Sequence, residues 1–156
     1  MFRPMRRFRQ QLTDEQCTAI LQTEKRGVLA VNGDGGFPYT VPLNFVYDGG
    51  KVYFHCAVAG HKLDAIQADS KASFCVLHEC GLADDGWSYF VDSVVVFGSV
   101  TVVTDKAARI GKLRKLGRKY FPTAAMVEHD IAKNAARALV LELTPQHITG
   151  KHVHES

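Results

Sequence analysis

The stretch "GVLAVNGDGGFPYTVPLNFVYDGGKVYFHC", residues 27–56, decides the fold class of this protein. Three runs rich in β-branched and aromatic residues are separated by two short glycine-rich segments, GDGG (33–36) and DGG (48–50). β-branched and aromatic residues favour strands, and glycine supplies the positive φ angles that tight hairpin turns need. The pattern therefore predicts three consecutive antiparallel strands joined by short turns.

Three later runs extend this sheet. They are "KASFCVL" (71–77), the long "SYFVDSVVVFGSVTVVT" (88–104) and "ALVLELT" (138–144). Gly98 lies in the middle of the long run, where it allows a strand to bend. Six mostly antiparallel strands with helices inserted between them predict a small closed barrel of the mainly β or α+β class. Side chains fill the interior of such a barrel, so we expect a large ligand to bind on its outside.

Helices are predicted in three places. Thr13 and Gln16 have the spacing of a capping box, and an apolar stripe follows, so a helix is expected from Asp14 to Lys25 with Gly27 ending it. A short helix is expected at 61–68. The segment 107–120, "AARIGKLRKLGRKY", places its basic residues on one face and apolar residues on the other, which is typical of a surface helix.

Length and charge point to one domain. The chain has 156 residues, 46% of them hydrophobic, and a net charge of +3, which is enough for one core. We expect residues 1–12 to form a solvated basic arm and residues 13–156 a single domain. No apolar run reaches the roughly 20 residues of a membrane span, and a polar stretch follows the arginines, so a cytoplasmic location is predicted. The basic segments lack interleaved aromatic residues, and no nucleic-acid partner is expected.

The cysteines and histidines predict no metal site. The four cysteines lack C-x-x-C spacing, which favours reduced thiols. His55 and Cys56 are neighbours on a strand, so they point to opposite faces and cannot share an ion. A looser set, extended by histidines at a C-terminal end expected to be mobile, has no standard finger spacing: Cys75, His78, Cys80, His152 and His154.

The segment "AGHKLDAI", residues 59–66, places basic residues at the start of a helix. The helix dipole already makes that end positive, so His61 and Lys62 meet an unfavourable field there. A bound anion such as phosphate would offset the conflict, and Gly60 would let it approach the unpaired N–H groups. The alternative is that both side chains extend into water. The glycine spacing of a phosphate loop or a dinucleotide fingerprint is missing.

The second strand has the features of an exposed wall. Pro42 lacks a backbone donor, which confines it to a sheet edge or a bulge. Asn44 offers both a donor and an acceptor to a heterocycle. A groove on the outside of a small barrel becomes deep enough for a ligand when a second subunit of a two-fold dimer covers it.

Several motifs together resemble a known family. Residues 27–66, "ASFCV" (72–76), "SVVVFGSVTVV" (93–103) and "HITGK" (147–151) are similar to the flavin-binding split-barrel family related to pyridoxamine 5′-phosphate oxidase. Within it they most resemble the nitroimidazole-resistance, or 5-nitroimidazole reductase-like, branch. The resemblance implies a six-stranded antiparallel split β-barrel with flanking helices, in a homodimer that binds FMN in two grooves at the subunit interface.

The resemblance also implies a set of cofactor-binding residues. Lys62 would hold the flavin phosphate, with His61 where relatives often have arginine. Ser93 would add a phosphate or ribitol contact, and Lys151 would lie where the C-terminal strand approaches the site. His55 would lie near the flavin ring, with Cys56 next along the chain. The second strand would line the ring with Thr40, Val41, Pro42, Leu43 and Asn44.

The implied activity is that of an FMN-dependent oxidoreductase. Its substrate would be a small electron-poor compound, nitro- or quinone-like, and NAD(P)H is a candidate electron donor. His55 would deliver a proton, because its unperturbed pKa lies near neutrality; a purely structural role for its ring is the alternative. The segment "TPQHITGKHVHES" (144–156) lacks the arginine and histidine pattern that the oxidase branch uses for pyridoxine phosphate, so vitamin B6 oxidation is not expected. A non-catalytic flavin or heme carrier or sensor remains the second hypothesis.

Overall fold

The computed structural model describes residues 1–155, in which four α-helices surround seven β-strands. The helices are α1 (Asp14–Thr23), α2 (His61–Ala68), α3 (Lys106–Tyr120) and α4 (Ala124–Asn134). The strands are β1 (Arg26–Asn32), β2 (Pro38–Asn44), β3 (Val46–Asp48), β4 (Lys51–Ala57), β5 (Lys71–Leu82), β6 (Tyr89–Val102) and β7 (Ala138–Glu155).

The strands form one sheet in the order β2-β1-β5-β6-β7-β4-β3. Every neighbouring pair is antiparallel. The two edge strands, β2 and β3, are separated in the chain by Phe45 alone. Because one residue spans only about 3.3 Å, the two ends of the sheet come close at Phe45 and the sheet curls into a barrel, although β2 and β3 are not paired neighbours in the strand order. The predicted antiparallel barrel of the α+β class is confirmed.

The predicted number of six strands is wrong by one. The segment 37–47 was expected to be a single strand, but the structure divides it at Phe45, whose side chain is fully buried. The hydroxyl of Tyr120 lies 2.8 Å from both the backbone nitrogen and the backbone oxygen of Phe45. A side chain from α3 thus satisfies backbone groups that a neighbouring strand would otherwise pair, and the chain passes from one edge of the sheet to the other there.

The last strand is much longer than predicted. The expected strand at 138–144 continues to Glu155, and the end that was expected to be mobile pairs with β6. A register shift lies at Gly98, as its place in the long run indicated. A Cβ atom at Gly98 would come within 2.1 Å of the Thr144 carbonyl oxygen, so only glycine permits this close approach. The part of the sheet formed by residues 77–82 of β5, 89–93 of β6 and 151–155 of β7 is called the three-strand extension below.

The helices agree with the sequence at most of their starts. The capping box is present, with Thr13 N–H donating to the Gln16 side chain at 2.8 Å. Helix α1 ends at Thr23, two residues before the predicted Lys25. Gly27 does not terminate it but is in β1, where a Cβ would lie 2.4 Å from the Phe74 ring. Helix α4 was not predicted. None of the helices in residues 1–155 is both long and apolar enough to cross a membrane.

Candidate functional site

The start of helix α2 is open. Gly60 precedes it with φ of 135° and ψ of 163°, and no side chain caps it. The N–H groups of Leu63 and Asp64 donate to the Gly60 carbonyl, which leaves the N–H groups of His61 and Lys62 without an acceptor inside the helix. A Cβ at Gly60 would meet no atom within 4 Å. Among residues 1–155, no atom therefore fills the space beside Gly60 at the first turn of α2.

His61 is held beside this opening. Its ring stacks on Tyr39 of β2, with centroids 4.2 Å apart, and its Nε2 lies 3.5 Å from a carboxylate oxygen of Asp34. The His61 side chain keeps 40% of its surface exposed, so it contacts both these residues and water. The ring thus lies between α2 and the β1–β2 turn.

Lys62 is a half-buried cation without an acidic partner. No salt bridge among residues 1–155 involves its ammonium group. Burial raises the pKa of the Cys56 thiol, and the Lys62 ammonium opposes that shift, which places the lysine near the end of β4. An unpaired cation beside unpaired N–H groups is suited to an external anion.

Strand β2 supplies a free edge next to this opening. It ends the sheet order, and the side chains of Thr40 and Pro42 are exposed, whereas Val41 and Leu43 pack against the core. Pro42 has no N–H to give to β1, so its backbone must face away from β1. Since backbone groups alternate along a strand, the N–H groups of Thr40 and Asn44 face the free edge as well.

A cavity of about 300 Å³ lies where the ends of β2 and β4 meet α3 and α4. The two predicted site residues that line it are Asn44 and His55, together with an Asp130–Asn134 pair joined by a hydrogen bond of 2.7 Å. The apolar side of the cavity consists of Leu113, Leu116, Tyr120, Phe121 and Ile131. This size is at the lower end for small-molecule sites.

His55 and Cys56 face opposite ways. His55 is exposed toward the cavity, and the side chain of Cys56 is 8% exposed and belongs to the core. The thiol of Cys56 therefore turns away from the cavity, so direct contact of this side chain with a ligand beside His55 is not expected.

Ser93 and Lys151 lie in a different part of the molecule. They are directly opposite each other on β6 and β7, in the three-strand extension. His55 pairs with Val140, and Lys151 is eleven residues farther along β7, which corresponds to roughly 35 Å of extended chain. Neither residue is among those that line the cavity beside His55.

Sequence reasoning missed several residues of this region. Tyr39 holds His61, Tyr120 holds the crossing at Phe45, and α4 contributes Asp130 and Asn134 to the cavity wall. Helix α4 had a readable signal, because Thr123 caps it by accepting from the Met126 N–H. The contacts of Tyr39 and Tyr120 had no signal in the sequence, because each contact joins segments that are far apart in the chain.

The family model described as pyridoxamine 5′-phosphate oxidase matches residues 13–152. The chain belongs to the pyridoxamine 5′-phosphate oxidase family. The resemblance inferred from the motifs is thereby confirmed, and the match spans both the α2 start and the cavity. No curated protein matches this chain.

Several solved structures share the fold of this chain. A candidate 5-nitroimidazole antibiotic resistance protein from Bacteroides thetaiotaomicron superposes with a TM-score of 0.77 at 19% identity, covering 93% of this chain and 87% of that one. A FAD-binding protein from Mesorhizobium loti superposes with a TM-score of 0.67 at 23% identity, covering 92% of this chain and 96% of that one. A FAD- and heme-binding protein from Mycobacterium smegmatis superposes with a TM-score of 0.71 at 22% identity, covering 91% of this chain and 72% of that one.

Proposed function

We propose that this protein binds FMN and acts as an oxidoreductase on small electron-poor compounds with nitro or quinone groups, with NAD(P)H as the electron donor. One observation carries the proposal. An uncapped helix start with an unpaired lysine, Lys62, lies beside the free edge of a strand in a chain of the pyridoxamine 5′-phosphate oxidase family.

The residues at the start of α2 fit the phosphate of FMN. The N–H groups of His61 and Lys62 lie in the first turn of α2, next to the open space at Gly60, and Lys62 adds a cationic side chain to the same turn. A phosphate monoester carries close to two negative charges at neutral pH, so it would offset the unfavourable placement of cations at a positive helix end. The pyrophosphate of FAD has only one charge on each phosphate, which is why we favour FMN.

The free edge of β2 fits the flavin ring. The Thr40 N–H, the Pro42 carbonyl and the Asn44 amide offer donors and acceptors in a row. When bound, the flavin supplies the hydride or electron transfer. This chain would orient the ring along β2, hold a substrate in the adjacent cavity and keep a transferable proton on the His55 imidazole.

A homodimer is part of the proposal. Ser93 and Lys151 lie on the three-strand extension, eleven residues along β7 from the residue that pairs with His55, and we propose that they serve the site of a second subunit. The outer face of the sheet also exposes apolar side chains, among them Val28 and Leu77. A partner on this face would cover both the apolar surface and the groove.

A non-catalytic carrier or sensor is the second candidate. The Mycobacterium smegmatis relative binds FAD and heme, and His55 faces a cavity in which an imidazole could serve as a heme ligand. The absorption spectrum of the purified protein and the mass of the released ligand separate the possibilities, because FMN, FAD and heme differ in both. A colourless protein that rejects added flavin would contradict both candidates.

Lys62→Ala tests the phosphate site directly. We expect FMN affinity to fall at least about tenfold, equivalent to about 1.4 kcal/mol, because the unpaired cation is lost. The matched control is Lys106→Ala, which removes an exposed lysine from the first position of α3, a helix that Asp105 already caps. FMN titration by fluorescence measures both. Equal affinities for Lys62→Ala and the wild type would overturn the phosphate assignment.

A further inference from the structure

Three adjacent strands of the three-strand extension carry potential metal ligands at one register. Asp92 of β6 lies directly opposite His78 of β5 and directly opposite His152 of β7. Residues directly opposite each other in a sheet project to the same face, with Cβ atoms about 5 Å apart. A carboxylate therefore stands between two imidazoles on one surface.

An irregularity in β5 adds a thiol to this row. The pairing of β5 with β6 shifts between Glu79 and Gly81, so Cys80 is an extra residue without a partner. Gly81 has φ of 103°, a conformation that side-chain-bearing residues rarely adopt. The bulge directs the Cys80 thiol to Asp92, and potential ligand atoms of Cys80, Asp92 and His152 all lie within 4.8 Å of one another.

Packing already orients two of these groups. The His152 ring lies nearly parallel to the Phe90 ring, at 12° and 5.3 Å, and its Nδ1 is 2.5 Å from an oxygen of Asp92. The Asp92 side chain is only 16% exposed, yet within residues 1–155 no lysine or arginine forms a salt bridge with it. This half-buried carboxylate thus lacks a permanent cation.

The geometry points to a binding site for one divalent transition-metal ion, formed by Cys80, Asp92 and His152. Sulfur, nitrogen and oxygen ligands together suit Zn²⁺ and its first-row neighbours and not Mg²⁺ or Ca²⁺. Metal–ligand bonds of about 2.0–2.3 Å place the ligand atoms of a tetrahedral ion roughly 3.3–3.8 Å apart. Ligand atoms within 4.8 Å of one another reach this arrangement by small side-chain rotations.

The fourth position of the ion is open to solvent. Cys80 and His152 are exposed, and His78 is held by Glu24 at 2.6 Å, so three protein ligands and a water complete the shell. An open site of this kind is typical of zinc that exchanges or reacts and differs from a closed structural site.

This site does not depend on the proposed flavin function. Ser93 directly follows the proposed ligand Asp92, and Lys151 directly precedes the proposed ligand His152. Neighbouring residues of a strand point to opposite faces of the sheet. The metal site and these two residues therefore lie on different sides of the three-strand extension. Failure of flavin binding would leave the metal prediction intact, and the reverse also holds.

The test uses the full chain with Zn²⁺ and Co²⁺ as probes. Competition with a chromogenic chelator should show one Zn²⁺ per chain, and Co²⁺ should produce a thiolate-to-metal charge-transfer band. Cys80→Ser should abolish that band and lower the Zn²⁺ affinity at least about 100-fold, the upper end of the losses seen for outer-shell partners. His152→Gln should lower the affinity similarly.

Two matched controls separate the site from incidental binding. Cys75→Ser removes another thiol of β5, and His154→Gln removes another exposed histidine of β7; both should keep full Zn²⁺ affinity. Thermal unfolding verifies that each variant is folded, and since Cys80 is exposed, Cys80→Ser is expected to fold. Absence of the Co²⁺ thiolate band, undiminished Zn²⁺ affinity in Cys80→Ser, or equal losses in His152→Gln and His154→Gln would each overturn the proposal.

Discussion

His55 shows how a single position on a strand acquires a role. It stands between Phe54 and Cys56, which are both buried, and the alternation of β4 turns it alone toward the cavity. Asn44 and the Asp130–Asn134 pair supply the other polar groups there. The His55 imidazole is the histidine side chain among the residues that line this cavity, and general acid–base catalysis most often uses histidine.

His55→Gln is expected to slow substrate reduction and to spare FMN binding. Glutamine retains a hydrogen-bonding group of similar size but exchanges no proton, so we expect a loss of about 100-fold in turnover, in the range for general acid catalysis. The measurement is anaerobic reduction with NADH or NADPH, followed by mixing with a nitro compound at several pH values. The control is His129→Gln, which changes an exposed histidine of α4.

Two results would change the interpretation of His55. Equal rates and an equal pH profile for His55→Gln and the wild type would leave the residue with a structural role only. A wild-type protein that takes up flavin and never reduces the nitro compound would favour the carrier.

At the scale of elements, the β3–β4 hairpin holds helix α3 in place as a cavity wall. Asp48, at the hairpin turn, accepts hydrogen bonds of 2.6 Å from both Lys112 and Lys115. The Lys112 ammonium also lies 3.9 Å from the centre of the Tyr53 ring. These contacts fix the face of α3 that carries Leu113 and Leu116 into the cavity.

Asp48→Asn should destabilise the protein in a pH-dependent way. Hydrogen bonds from Lys112 and then Lys115 hold the pKa of Asp48 below its ordinary value of 3.8. A lowered folded-state pKa gives stability that is present above 3.8 and lost as the pH falls through the folded value. We expect a loss of about 1 kcal/mol in the free energy of unfolding at neutral pH.

Urea unfolding over a pH series measures this effect. The difference between Asp48→Asn and the wild type should shrink below pH 3.8, where the wild-type carboxylate takes up its proton. Asp84→Asn, in the exposed loop between β5 and β6, is the control and should be neutral. A difference that is the same at every pH would show that the charge of Asp48 is not the cause.

For the whole molecule, the outer face of the sheet is the feature that a monomer does not explain. Val28 of β1 is 42% exposed and lies opposite both Pro42 and Cys75, and Leu77, two residues along β5 on the same face, is 62% exposed. Contiguous apolar side chains on a sheet face mark an interaction surface. In the proposed dimer this face meets the second subunit.

Val28→Glu should therefore convert the dimer into a monomer and weaken FMN binding with it. A buried carboxylate without a partner is costly at an interface, and the groove depends on the second subunit. Sedimentation velocity measures the association state, and flavin titration measures the binding. Met126→Glu, which places the same charge at an exposed apolar position of α4, should change neither. A monomeric wild type that binds FMN would contradict the proposed interface.

Local patterns were sufficient for much of this protein. The alternation of strands and glycine turns over residues 27–56, the capping box at Thr13 and the basic helix start at Lys62 were all readable, because each depends on residues a few positions apart. Motif spacing also identified the family that the match over residues 13–152 confirms.

Long-range contacts decided the rest. Only the folded chain shows that strand β2 stops at Phe45, since Tyr120 satisfies the backbone there from 75 residues away. The meeting of His55 with helices α3 and α4, and of Cys80 with His152, likewise depends on strand register and on a bulge. Strand register and bulges are set by packing between distant segments. Such packing produces no repeating hydrophobic pattern from which register or bulges could be predicted.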